Sequence, residues 1–164
     1  MVVSAAEMLD MARALPIPVP WDRATFITNV AELRGRPITL IPHNTAVPFG
    51  SVCGLWLQRA DDDLILYHEA TSDYHVDHIV RHEVGHMVLG HCSPEQGGNA
   101  AATRLCREFL PDFDPATVLG VLGRHDYDSP QERDAELFAN MIMVASGEAS
   151  DRASVFGSVF FRRH

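Results

Sequence analysis

The chain has 164 residues, 46% of them hydrophobic and 21% charged, with a formal net charge of −9. That is enough for one domain with a proper core, and it excludes a disordered chain. The acidic balance, with Arg as the only basic residue besides His, excludes a broad electrostatic footprint on nucleic acid, and no apolar run is long enough to span a bilayer.

Residues 4–15 predict an amphipathic helix, with Ser4 as N-cap and Glu7 completing a capping box. Glu7 and Asp10, with no basic start, exclude a signal peptide. Pro16, Pro18 and Pro20 end this helix in an extended connector. Residues 21–34 predict a second helix, with Phe26, Ile27, Val30 and Leu33 on one face and Gly35 closing it. The three prolines exclude the tight turn of a DNA-reading helix-turn-helix.

Strands follow at residues 37–41, 51–59 and 64–68, the last two joined by a hairpin turn at 60–63. A helix then starts at the N-cap candidates Thr71, Ser72 and Asp73 and stops at Gly90, with Val76, Ile79, Val80, Val84, Met87 and Val88 as its buried stripe. Gly97 and Gly98 mark a loop. Helices are expected at 99–110 and, behind Asp114 and Pro115, at 114–122. A final helix spans 130–145, and a short helix in the tail ends in a polar stub. The expected architecture is α+β: a small three-stranded, mostly antiparallel sheet packed with several helices. It forms one domain over 1–164, with N-terminal helices at 1–35, a core at 36–146 and a tail at 147–164. Cys53, Cys92 and Cys106 are odd in number and lack C-x-x-C spacing, as reduced thiols of a cytoplasmic protein would be.

The chemistry sits at residues 82–86, His-Glu-Val-Gly-His. On a helix, His82 and His86 stand one turn apart on one face and can point two imidazoles at one metal ion. Glu83 lies beside that face, within reach of a water held there. Zinc suits such ligands, and a carboxylate beside such a water is the core of metal-assisted hydrolysis. A catalytic zinc takes three protein ligands. The metzincin pattern is excluded, because Leu89 and Cys92 occupy the positions where it needs Gly and His. His91 reads as a helix-end residue near carbonyl groups. The strongest third ligand is Glu132 on the last helix. Asp134 is a rival, as are His125 and Asp126, and Ser129 to Glu132 also matches a capping box. Glu136, one turn after Glu132, can hydrogen-bond an imidazole of the motif. The last helix should bury Leu137, Phe138, Met141, Ile142 and Ala145.

Residues 82–91 (HEVGHMVLGH) and 132–139 (ERDAELFA), behind a block of strands, resemble the ImmA/IrrE family of small zinc metallopeptidases, a gluzincin-like pattern of H-E-x-x-H plus a downstream Glu. The likeness covers residues 35–146. This family commonly has Asn where Glu136 stands, and often a Pro where this chain has Val144-Ala145-Ser146. The resemblance implies a minimal zincin-like fold, a cytoplasmic location, Zn²⁺ on His82, His86 and Glu132, and cleavage of a protein substrate, a helix-turn-helix transcription regulator. Glu83 would act as general base, and Tyr127, His125 or Tyr74 would supply an oxyanion donor. The strand pair around Leu55-Trp56-Leu57 and Leu64-Ile65-Leu66 offers a candidate edge for an extended substrate. The alternative is a zinc-containing regulator, an antirepressor or toxin–antitoxin component, that binds its partner without cutting it.

Overall fold

The computed structural model describes residues 3–44, 54–91, 99–122 and 129–160. Helix α1 (Ala5–Ala14) opens on the expected capping box, in which the Glu7 carboxylate accepts from the Ser4 N–H at 2.7 Å. Helix α2 (Arg23–Arg34) starts at Asp22, whose side chain accepts from the Thr25 N–H, and closes at Gly35 with φ of 67°. That left-handed turn is one that glycine adopts without penalty. Phe26, Ile27 and Val30 are buried as the periodicity requires, but Leu33 is 62% exposed. Arg34 takes the inward position of that last turn. Its guanidinium donates to the Met87 carbonyl at the end of the next helix and to Asp63 on the sheet.

The sheet has four strands rather than three: β1 (Ile38–His43), β2 (Gly54–Arg59), β3 (Asp63–His68) and β4 (Val118–Leu122), in the order β1-β3-β2-β4. The β2–β3 hairpin is antiparallel as expected, and β4 is antiparallel to β2. The sheet is nevertheless mixed, because β1 runs parallel to β3. The chain passes from β1 to β2 with room for one strand between them, and the hairpin returns β3 into that gap. The fourth strand corrects the helix expected at 114–122. Asp114 and Pro115 do start a helical turn, but it is a 3-10 turn of three residues, Pro115–Thr117. The following Val-Leu-Gly-Val-Leu is too rich in β-branched residues and glycine to continue it, and extends along β2 instead.

Both faces of the sheet are covered. On one, Trp56 and Ile65 pack with residues of α1, α2, α3 (Asp73–Leu89) and α5 (Pro130–Phe160). On the other, Leu55, Leu57, Leu64 and Leu66 pack against Ala102, Leu105, Cys106 and Phe109 of α4 (Asn99–Phe109). The central strands β2 and β3 are therefore buried on both sides, which explains their continuous apolar runs. They offer no free edge, contrary to the sequence expectation; the outer strands are β1 and β4. Cys106 is a free, buried thiol, and Cys53 and Cys92 lie outside the described residues.

Helix α5 is one continuous helix of 31 residues, not a helix to residue 145 followed by a separate tail helix. Gly147 is a weak point of only about 1 kcal/mol in a helix interior, and no proline follows to stop the run. Phe138, Ile142 and Ala145 are buried, whereas Leu137 is 40% exposed. Among the described residues, no helix is long and apolar enough to cross a membrane.

Candidate metal centre

Helix α3 is deeply buried over its second half. Ser72 caps it by accepting from the His75 N–H, and every residue from 79 to 87 is buried. Val76, Val80, Val84 and Met87 face the helical core, which leaves His82, Glu83 and His86 on the remaining faces, 4%, 2% and 1% exposed. Burying so much polar surface is costly unless it is paired. Most of it is paired, through α5.

Gly85 makes that pairing possible. A Cβ at this position would lie 3.1 Å from the Ala135 carbonyl oxygen and 3.4 Å from Phe138 Cδ1. The missing side chain lets α5 approach α3 closely enough for a first-turn side chain to reach across. That side chain is Glu132. Its Oε2 lies 3.2 Å from His82 Nε2, its Oε1 lies 3.2 Å from His86 Nε2, and the two Nε2 atoms are 3.0 Å apart. His82, His86 and Glu132 thus form a group that could hold a metal ion. The capping alternative for Glu132 is half met: its N–H donates to Ser129 Oγ, while both carboxylate oxygens face the imidazoles. Asp134 is not part of the group, and His125, Asp126 and Tyr127 lie outside the described residues.

The far side of each imidazole has its own neighbour. His82 Nδ1 is 3.4 Å from Glu136 Oε2, without hydrogen-bond alignment, and the same oxygen lies 3.0 Å from His78 Nε2. Glu136 therefore comes close to the motif, but the expected hydrogen bond to one of its imidazoles is made to His78 instead. His86 Nδ1 is 2.9 Å from His91 Nδ1. His91 is indeed at the helix end, its N–H donating to the His86 carbonyl, but its ring is buried against His86 rather than turned to solvent.

Glu83 stands apart from this network. It points toward the start of β2, where a Cβ on Gly54 would collide with Ile79 Cγ2 and lie 2.9 Å from Glu83 Oε1. Glu83 Oε2 is buried and has no hydrogen-bond partner among the described residues.

Electrostatics follow from this arrangement. Burial pushes the Glu83 carboxyl above the ordinary carboxylate range, against the pull of His82 and His86. Glu132 is also desolvated, but the hydrogen bonds from His82 and His86 outweigh that and hold it well below its usual value. His82 is raised: burial opposes its charge, and Glu132, Glu83 and Glu136 together prevail. One carboxylate is thus held ionised among the imidazoles, and the other is made more basic beside them.

Tyr74 is 67% exposed, and its hydroxyl meets the sulfur of Met143, about three helical turns along α5 from Glu132, so it does not face the group. Sequence reasoning missed the roles of Gly54 and His91. For His91 the signal was its spacing, five residues after His86 and just past a glycine. Gly54 carried none. No family model, curated protein or solved structure matches this chain.

Proposed function

We propose that the chain is a zinc-dependent endopeptidase of the ImmA/IrrE type, with His82, His86 and Glu132 as ligands and Glu83 as general base. The observation that carries this is the convergence of two Nε2 atoms and a carboxylate at 3.0–3.2 Å, beside a second buried carboxylate, one oxygen of which has no partner among the described residues. Two imidazoles and one carboxylate form a catalytic zinc donor set. Bonds of about 2.0–2.1 Å in a tetrahedron place ligand atoms about 3.3 Å apart, close to the spacing here. The larger oxygen-rich shell of Ca²⁺ suits this group poorly. Bound zinc would supply Lewis acidity toward a water and a peptide carbonyl.

The residues then have distinct tasks. Glu132 stays ionised, which makes it a ligand rather than an acid. Glu83 accepts a proton from the attacking water and passes it to the departing amine nitrogen. In the metal-free chain burial raises its affinity for protons. Burial of His82, Glu83 and His86 limits competing solvent. The substrate class, a helix-turn-helix repressor, and a cytoplasmic location come from the resemblance; the buried free thiol of Cys106 agrees with a reducing compartment.

The test begins with zinc per chain by elemental analysis, for wild type beside Glu132→Ala. About one zinc in the wild type, lost in the variant, is expected. Zinc-loaded wild type and Glu83→Gln are then each incubated with the helix-turn-helix proteins encoded beside the gene. Mass spectrometry should find cleavage by the wild type alone. A partner bound by both and cut by neither would establish the sequestering regulator instead.

A further inference from the structure

We infer that His91 is a positioning residue for the metal centre: its ring accepts a hydrogen bond from His86 Nδ1 and so fixes the tautomer in which His86 Nε2 carries a free lone pair. The inference deepens the zinc reading above and rests on it.

An imidazole can ligate through Nε2 only when that nitrogen is unprotonated, so its other nitrogen must carry the proton and needs an acceptor. His86 is 1% exposed, and water cannot serve that role. The group within hydrogen-bond reach of His86 Nδ1 is His91 Nδ1, at 2.9 Å. Of two facing ring nitrogens, one must donate and the other accept. With His86 Nε2 serving as the zinc ligand, rather than donating to Glu132 as in the metal-free chain, the consistent assignment is Nδ1–H on His86 and a lone pair on His91 Nδ1, whose own proton then sits on Nε2.

The backbone places His91 for this task. Gly90 ends α3 in the left-handed region, with φ of 69°, and its N–H donates to the His86 carbonyl. The His91 N–H donates to the same carbonyl at 3.0 Å. This closing bond, six residues to one, is the signature of a helix C-cap that folds back on its last turn. It returns residue 91 to the side of residue 86, and the two rings meet at a 68° angle with centroids 5.1 Å apart. An ordinary helix stop thus doubles as the support of a ligand.

The test compares two nearly isosteric variants. Asn presents an oxygen near the position of His Nδ1, so His91→Asn keeps an acceptor; His91→Leu has the same branching and offers none. Zinc affinity is measured by chelator competition, and thermal unfolding of the metal-free proteins confirms that both fold alike. His91→Leu should bind zinc about 10–100-fold more weakly, the usual cost of losing such a support, and His91→Asn should recover most of it. Nitrogen-15 and proton spectra of the zinc-loaded proteins should show the His86 Nδ1–H as hydrogen-bonded in wild type and His91→Asn, and without that hydrogen bond in His91→Leu. Wild-type affinity and an unchanged Nδ1–H signal in His91→Leu would overturn the inference while leaving the zinc site standing, and so would equal losses in both variants. A wild type that takes up no zinc would instead remove the reading on which the inference rests.

Discussion

Two buried carboxylates, Glu83 and Asp63, lie on opposite sides of the boundary between chemistry and architecture. Asp63 is 0% exposed at the start of β3. Trp56 Nε1 donates to its Oδ1 at 3.1 Å, and Arg34 donates to its Oδ2 at 3.0 Å. Arg36 Nε stands 3.1 Å from Oδ2 as an ion-pair contact without hydrogen-bond alignment. The fold surrounds this carboxylate with donors, and through Arg34 it ties α2 to the sheet and to the end of α3. Glu83 is as deeply buried, yet one of its oxygens has no partner among the described residues. The carboxylate that maintains the fold has its lone pairs filled in advance, whereas the one proposed to move protons keeps one open among the described residues.

Three substitutions would break or sharpen this contrast. The largest effect is expected from Glu83→Gln. Hydrolysis should fall about 10²- to 10⁴-fold, the usual contribution of a general base, with zinc content unchanged. Stability should fall less than it does for loss of Asp63, since no donor is stranded. Steady-state kinetics with urea unfolding of the same preparation measure both, and a wild-type rate would remove Glu83 from the mechanism.

Asp63→Ala should behave in the opposite way. It strands two guanidinium groups and the Trp56 N–H, and removing one partner of a buried ion pair costs about 3–5 kcal/mol. Zinc bound per folded molecule should not change. A loss of metal without a loss of stability would show that the two regions are not separate.

Gly85→Ala sits between them. The added methyl group meets backbone atoms of α5 at 3.1 and 3.4 Å, so the helices must part. A loss of about 1–3 kcal/mol is expected from this overpacking, together with weaker zinc binding, because Glu132 moves away with α5. Isothermal titration with zinc, set beside thermal unfolding, measures both. Unaltered affinity would mean that Glu132 reaches the imidazoles without the close approach.

The sequence made the helix-borne part of the site legible for a physical reason. Turn spacing alone puts His82 and His86 on one face, and the caps at Ser72 and Gly90 bound the helix that carries them. Glu132 could be singled out by its place in a second helix, but only packing distinguishes it from Asp134, because nothing in a linear pattern specifies which side of α5 meets α3. The sheet was less legible. Val118–Leu122 follows a good helix start, and the competing preference of its β-branched residues is satisfied only once β2 is there to pair with. The parallel placement of β1 depends on where the hairpin docks, and residues 38–43 do not encode that locally.

The group that could hold a metal ion joins two helices, and Glu132 on one lies 50 positions along the chain from His82 on the other. Beyond its midpoint α5 is fastened separately, where Arg13 of α1 meets Glu148 at 3.0 Å. A cation gripped between α3 and the first turn of α5 would therefore act as a cross-link closing a long loop, and would favour the folded chain by mass action. The amount of this protein in a cell would then follow the supply of zinc. In scarcity the population would drift toward open forms that housekeeping proteases remove. A shortage of the metal would be felt first as turnover of the chain, and only then as loss of the proposed activity.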